Sequence, residues 1–205
     1  AVAAVGGDHS VRSQREFARR ARLWGALVPN DNSELSCPPE VWPESRPRGP
    51  HRVLITGGAR SGKSTEAELR LLAEPQVLYA ATGPRPDPAD PEWSERVAQH
   101  VRRRPWWWHT EETSDLVSLV RGARGAVLVD CLGTWLSGAM ERNGLWDDPP
   151  PGDAEERLDA EVHELLDAWR STQAYVVAVT NEVGSGVVPA TRSGRLFRDR
   201  LGWLN

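Results

Sequence analysis

The chain has 205 residues with a formal net charge of −4 and a hydrophobic content of 39%, which suffices for one compact domain with its own core. The acidic balance argues against a protein that coats nucleic acid. The sequence contains no run of about 18 apolar residues, so no membrane span is predicted. Cys37 and Cys131 are too few for a disulfide framework and no secretory signal is visible, so we expect a cytoplasmic protein.

Residues 1–50 differ in composition from the rest of the chain. Residues 11–27 place Phe17 and Trp24 among arginines, which predicts a short amphipathic helix. Prolines then recur through residues 38–50 and predict an extended linker. Two interpretations stay open, namely the tail of a preceding domain with its linker, or a disordered extension.

From residue 51 onward, short apolar runs alternate with amphipathic patterns. Four runs are apolar on both faces, as is typical of buried parallel strands. These runs cover residues 52–56, 77–81, 126–130 and 175–180. Helical periodicity covers residues 64–73, 92–103 and 155–171. Strands separated by helices predict an α/β fold with a mostly parallel sheet and right-handed crossovers.

The first predicted strand leads into the glycine-rich segment TGGARSGKS. Its spacing, between a strand and a helix, is that of a P-loop, in which glycines let backbone N–H groups approach phosphates and the helix N-terminus adds positive charge. Lys63 is the only lysine among the 25 basic residues, which favours a specific role for its compact ammonium over an accidental spacing. We therefore predict triphosphate binding by the residues of this loop, which are Gly57, Gly58, Ala59, Arg60, Ser61, Gly62, Lys63 and Ser64.

A P-loop site also needs an acidic residue at the end of a buried strand. Asp130 ends the run AVLVD and is the candidate. Together with the hydroxyl of Ser64, its carboxylate is predicted to bind Mg²⁺. The alternative is an aspartate that caps a turn or a helix.

A basic segment closes the predicted helix over residues 92–103. His100 precedes Arg102, Arg103 and Arg104, and adjacent arginines suit an anionic ligand. Such neighbours also favour a neutral, nucleophilic imidazole. From these residues alone, a histidine on a solvated basic helix end is the commoner case.

Two further segments leave alternatives open. Trp106, Trp107 and Trp108 either stack on a base or another flat ligand, or belong to the core. Residues 181–189 follow a buried strand, where open α/β sheets place their sites, but a plain strand-to-helix connection explains them equally well.

Five motifs occur in order: TGGARSGKS, ERVAQHVRRRP followed by WHTEE, LVDCLGTWLS, VTNEVGSGVVP and RLFRDRLGWLN. Over residues 52–205 they resemble the bifunctional adenosylcobinamide kinase / adenosylcobinamide-phosphate guanylyltransferase family of cobalamin biosynthesis. The resemblance implies a RecA-like P-loop NTPase fold and a homo-oligomer. It also implies two reactions, with Mg²⁺ and with GTP and ATP as nucleotide substrates. One phosphorylates adenosylcobinamide, and the other transfers GMP from GTP to adenosylcobinamide phosphate through a GMP-histidine, releasing pyrophosphate.

The resemblance also assigns site residues. The family's histidine lies four residues before the arginine of an Arg-Pro pair, which matches His100 and outweighs the solvated alternative. His100 and Lys63 are thus the expected catalytic residues. The further nucleotide contacts that it implies are Thr82, Gly83, Val101, Arg102, Arg103, Arg104, Glu112 and Asp130.

The chain departs from the family pattern in several places. The segment between Thr82 and Trp93 is longer and richer in proline, and Trp93 replaces a common methionine. The family pattern continues with a helix and a strand after Asn205, so we expect residues 51–205 to form a domain without those elements. Two alternatives stay open, another P-loop kinase of a small alcohol and a domain that binds nucleotide without turnover.

Overall fold

The computed structural model describes residues 51–72, 74 and 76–205, and the helix and linker predicted within residues 1–50 lie outside them. Strands and helices alternate along the described residues. In chain order they are β1 (His51–Gly57), α1 (Lys63–Leu71), β2 (Val77–Ala81), α2 (Pro91–Arg103), β3 (His109–Glu112), α3 (Leu116–Gly122), β4 (Ala126–Asp130), α4 (Leu132–Arg142), α5 (Ala154–Ser171), β5 (Tyr175–Asn181) and α6 (Arg192–Leu204).

The strands form one parallel sheet in the order β1-β5-β4-β2-β3. This confirms the predicted RecA-like α/β fold, in which β5 separates the strand before the P-loop from the strand that ends in Asp130. The register pairs Ala81 with Asp130 and Gly57 with Asn181. Because the carboxyl ends of parallel strands meet at one edge, the P-loop, Asp130 and the segment after β2 lie side by side.

Each face of the sheet packs against its own core. One core lies against α3, α4, α5 and α6, and its fully buried members include Leu136, Leu158 and Leu201. The other packs α1 and Trp108 against the opposite face. Burial of this apolar surface is the main stabilising term of the fold. No helix in the described part of the chain is long and apolar enough to cross a membrane.

The four predicted strands and three predicted helices are all present, whereas β3, α3, α4 and α6 had not been predicted. Side-chain caps help to explain where the helices begin. Asp90 accepts the backbone N–H of Trp93 at α2, and Asp115 accepts that of Ser118 at α3.

The tryptophan alternatives divide between two environments. Trp108 is 7% exposed and belongs to the core, whereas Trp106 is 91% exposed. Residues 181–189 connect β5 to α6, and their first turn is fixed by the backbone N–H of Glu182, which donates to the carbonyl of Gly57 at 3.1 Å. Among the described residues, those of this connection lie outside the two cavities at the P-loop and α2.

Candidate active site

The P-loop turns sharply between β1 and α1. Gly62 has a φ of 86°, a left-handed conformation that glycine adopts without strain, and α1 begins without a side-chain cap. A Cβ at Gly57 would lie 2.6 Å from the hydroxyl oxygen of Ser61, so a side chain there would require that hydroxyl to move. The first N–H groups of α1 therefore face the loop as donors for an anion.

Lys63 points back into this loop. Its side chain is nearly buried, and Nζ donates to the carbonyl oxygen of Gly58 at 2.9 Å. Burial lowers the pKa of Lys63, and the charge of Arg96 lowers it further, against the opposing charge of Asp130. An anion bound at the loop would favour the charged ammonium.

Asp130 is the centre of a polar cluster at the end of β4. Its Oδ1 accepts the Ser64 hydroxyl at 3.2 Å, and its Oδ2 accepts the Tyr79 hydroxyl at 2.6 Å. Nδ1 of His100 lies 2.9 Å from the same Oδ2. Burial acts to raise the pKa of Asp130, but contacts with His100, Tyr79 and Ser64 outweigh it and keep the pKa below its ordinary value. The carboxylate is therefore ionised and accepts from three groups.

Tyr79 fixes the tautomer of His100. Its side chain is 2% exposed, and burial together with Asp130 raises the pKa of the phenol well above its ordinary value. The phenol therefore keeps its single proton and donates it to Asp130. Nδ1 of His100, 3.3 Å from the Tyr79 oxygen, faces only acceptors and must be the protonated nitrogen. In a neutral imidazole with this tautomer, Nε2 has the free lone pair.

Helix α2, which carries His100, has no buried residue, and two ion pairs link it to the P-loop region. Arg103 binds both carboxylate oxygens of Glu68 on α1, at 2.9 and 3.0 Å. At the other end of the helix, Glu92 accepts from Arg60 of the P-loop at 2.9 Å. These ion pairs hold the helix with His100 next to the P-loop. No side chain of this helix is fully buried in an apolar contact.

The three arginines expected around His100 do not converge on one point. Arg102 pairs with Glu95 on the surface, Arg103 pairs with Glu68, and the Arg104 guanidinium lies 3.4 Å from the centre of the Tyr79 ring. Two carboxylates also lie near Nδ1 of His100, Asp130 at 2.9 Å and Glu68 at 3.9 Å. Helical geometry turns successive side chains in different directions, and the predicted contacts of these arginines with a bound nucleotide stay predictions.

Two cavities meet at His100. The larger, about 570 Å³, lies between the P-loop and α2, and it is lined by Lys63, Ser64, Arg96 and Arg103 among others. Its size suits a small-molecule ligand. A smaller cavity of about 80 Å³ lies beyond His100. Its lining includes Gly83, Arg104, Glu112, Asp130 and His100.

Most of the remaining predicted nucleotide contacts lie apart from these cavities. Val101 is 56% exposed, and the Thr82 hydroxyl donates to the carbonyl of Cys131 at 2.7 Å. Glu112, although it lines the smaller cavity, also accepts from Arg85 of the proline-rich segment at 2.8 Å. Gly58 and Ala59 belong to the P-loop but not to the lining of either cavity within the described residues.

The oxygens of Ser64 and Asp130 fit a Mg²⁺ ion. They lie 3.2 Å apart, and one belongs to an ionised carboxylate. Mg²⁺ in phosphoryl-transfer sites takes one or two protein oxygens and completes its shell with waters and phosphates. The described part of the chain contains no group of three or more His, Cys, Asp or Glu residues placed to hold a metal by themselves.

Comparison with known proteins assigns the chain to a family. Residues 53–205 match the family described as "Cobinamide kinase / cobinamide phosphate guanyltransferase". The chain belongs to this family. The bifunctional adenosylcobalamin biosynthesis protein CobU of Salmonella typhimurium is 38% identical over 160 residues, which cover 75% of this chain and 87% of the relative. CobP of Pseudomonas aeruginosa is 41% identical over 160 residues, 75% of this chain and 84% of the relative. The match confirms the predicted family and its nucleotide-dependent transferase class.

In this member of the cobinamide kinase / guanyltransferase family, three site residues escaped the sequence analysis. Tyr79 is a polar aromatic residue inside an apolar strand, which was an available signal. Arg96 precedes His100 by four residues and therefore shares its helix face, which was a second signal. Glu68 had no local signal, because its partner Arg103 comes from another helix.

Proposed function

We propose that this chain catalyses both reactions named in its family description. It phosphorylates the hydroxyl of adenosylcobinamide with a nucleoside triphosphate, and it transfers GMP from GTP to the resulting phosphate through His100. The products are adenosylcobinamide-GDP and pyrophosphate. The observation that carries the proposal is the position of His100, which shares a cavity with the P-loop while its Nδ1 lies 2.9 Å from Asp130.

In the first half of the guanylyl transfer, the Nε2 lone pair of His100 attacks the α-phosphorus of GTP. A nitrogen–phosphorus bond forms, and the bond from that phosphorus to the oxygen bridging toward the β-phosphate breaks. The electron pair leaves with pyrophosphate, whose charge is neutralised by Lys63 and the backbone N–H groups of the P-loop. Asp130 holds the Nδ1 proton and stabilises the imidazolium that develops.

In the second half, a phosphate oxygen of adenosylcobinamide phosphate attacks the same phosphorus. The nitrogen–phosphorus bond breaks, and its electron pair returns to Nε2 of His100. The covalent intermediate divides one attack of an anion on an anion into two steps, and in the first of them the nucleophile is neutral.

The kinase reaction uses the P-loop without a covalent intermediate. The substrate hydroxyl oxygen attacks the γ-phosphorus, the nucleoside diphosphate leaves and the hydroxyl proton is released. The enzyme's contribution is mostly positioning and charge neutralisation by Lys63 and the loop. Mg²⁺ bound at Ser64 and Asp130 would supply further neutralisation of the phosphate oxygens. ATP and GTP can both serve as the phosphate donor in this reaction.

We further propose that the chain assembles as a homo-oligomer, which light scattering would test.

Labelled GTP tests the covalent intermediate. With Mg²⁺, GTP labelled in the α-phosphate should leave an acid-labile label on the protein, whereas GTP labelled in the γ-phosphate should not. His100→Ala should abolish the label and the GMP transfer but retain most of the kinase activity. His109→Ala is the matched control, since His109 lies on the exposed edge strand β3, and it should retain the label.

The result also separates the competing functions. A label that persists in His100→Ala and disappears in His109→Ala would move the nucleophile to His109. Kinase activity without any label would favour a P-loop kinase of a small alcohol. Nucleotide binding without either reaction would favour a binding domain.

A further inference from the structure

Arg96 is placed beside both groups that the proposed transfer requires. It lies one helical turn before His100 on α2, and both residues line the larger cavity and the smaller one. Lys63 lines the larger cavity as well. A ligand that extends from the P-loop to His100 therefore passes within reach of the Arg96 side chain.

The other arginines of this region already have partners. Arg60 pairs with Glu92, Arg102 with Glu95 and Arg103 with Glu68. Arg96 contacts the Trp93 ring, its guanidinium carbon 5.9 Å from the ring centre, and within the described residues it has no carboxylate at ion-pair distance. The guanidinium is therefore available to a ligand, while its contact with the ring limits its range of motion.

The charges of the cavity favour an anion at this point. Arg96 and Lys63 both line the larger cavity, so two cationic side chains face one space. Two cations that share one cavity repel each other until an anion lies between them. A triphosphate with its outer phosphates at Lys63 would place its α-phosphate toward α2, where Arg96 and His100 lie.

We propose that Arg96 is a catalytic residue of the guanylyl transfer and binds the nonbridging oxygens of the α-phosphate while His100 attacks. This proposal rests on the proposed function. Negative charge on these oxygens increases as the nitrogen–phosphorus bond forms and the bond to pyrophosphate breaks. A planar guanidinium donates two parallel hydrogen bonds to such oxygens, and these bonds strengthen in the transition state. Arg96 keeps all its protons throughout the step.

Two substitutions and one matched control test this role in the full chain. Arg96→Gln removes the charge, Arg96→Lys keeps it without the planar fork, and Arg121→Gln removes an exposed arginine from α3. The measurement is the rate of protein labelling from α-labelled GTP with Mg²⁺ over a range of GTP concentrations, beside the kinase rate with γ-labelled GTP.

We expect Arg96→Gln to slow labelling at saturating GTP by about 100-fold, the scale of losing one oxyanion donor. The kinase rate should fall by less than about tenfold, because that reaction breaks the bond at the γ-phosphate. Arg96→Lys should recover part of the labelling rate, and Arg121→Gln should match the unsubstituted chain.

The other outcomes overturn the proposal in distinguishable ways. Equal slowing of labelling and kinase activity would show a general effect on the helix rather than contact with the α-phosphate. A defect that vanishes at saturating GTP would show binding of the ground state alone. If the unsubstituted chain acquires no label, the covalent function itself fails and the role of Arg96 fails with it.

Discussion

Helices α2 and α5 are attached to the same sheet by different forces. Helix α5 has 18 residues and buries five of them, among them Leu158 and Val162. Helix α2 has 13 residues and buries none, and it depends on bonds such as Arg103 with Glu68. Apolar contacts fix α5 in one position. The ion pairs of α2, in contrast, involve arginines that an incoming phosphate also attracts. The helix with the proposed nucleophile is therefore the one that a ligand can reposition.

The largest loss of stability should come from substitutions in the apolar contacts of α5. Leu158→Ala removes a fully buried side chain from α5 and should cost about 2–5 kcal/mol of unfolding free energy, measured by denaturant titration. The matched pair Val162→Ala on α5 and Val97→Ala on α2 tests the contrast with identical chemistry. Val162→Ala should cost more, because Val97 is only partly buried. Equal costs would contradict the distinction between the two helices.

Lys63→Ala should leave both helices folded but weaken the binding of GTP. Loss of a charge-assisted contact costs about 1.5–3 kcal/mol, which calorimetry would record as weaker GTP binding with a nearly unchanged melting temperature. The Lys63→Arg variant should also bind GTP poorly. Its wider guanidinium does not fit the position in the loop where the Lys63 ammonium donates to the carbonyl of Gly58. Near-normal affinity in Lys63→Ala would refute the P-loop assignment.

Glu68→Gln should loosen α2 specifically. Glu68 is 5% exposed and is the bidentate partner of Arg103, so losing its charge should cost about 1–3 kcal/mol of stability. Saturating GTP should recover part of this loss, because Arg103 would then have a phosphate partner. Glu95→Gln, which removes the surface partner of Arg102, should have no measurable effect on stability. A GTP-induced rise in melting temperature that is the same in Glu68→Gln and in the original chain would count against ligand repositioning of α2.

The smallest effect concerns the cap of α3, on the same side of the sheet as α5. Asp115→Ala should cost about 1 kcal/mol at neutral pH. The backbone N–H of Ser118 lowers the pKa of Asp115, so the stabilisation is complete above the ordinary carboxyl pKa and is lost as the pH falls through the lowered value. Asp115→Asn should keep most of the stability without that acid dependence. Chemical denaturation across the acidic range measures both.

The parts of the fold that the sequence predicted are those with local signals. The P-loop is recognised by its spacing and its place between a strand and a helix, and β2, β4 and β5 by apolar runs. Strand β3 was missed because all four of its residues are exposed and polar, so it follows no burial pattern. The short helix α3 and helix α4, which begins within the segment LVDCLGTWLS, lacked a clear helical period.

The site divides in the same way. His100, Lys63 and Asp130 were proposed from motifs, but the bond between Tyr79 and Asp130 joins residues 51 positions apart. The pairing of Arg103 with Glu68 rather than with a common anion depends on how α2 lies against α1. Such contacts arise from tertiary packing, which no local pattern encodes.

Lys63 has a practical consequence for chemical probes. Because it is the chain's only lysine, its Nζ is the only side-chain amine that an acylating reagent can modify. Its lowered pKa provides more of the reactive neutral amine than an ordinary lysine has at the same pH. A triphosphate on the loop would shield that amine and restore its proton. The rate of acylation at a single position would therefore report the occupancy of the P-loop, in a protein that needs no added label.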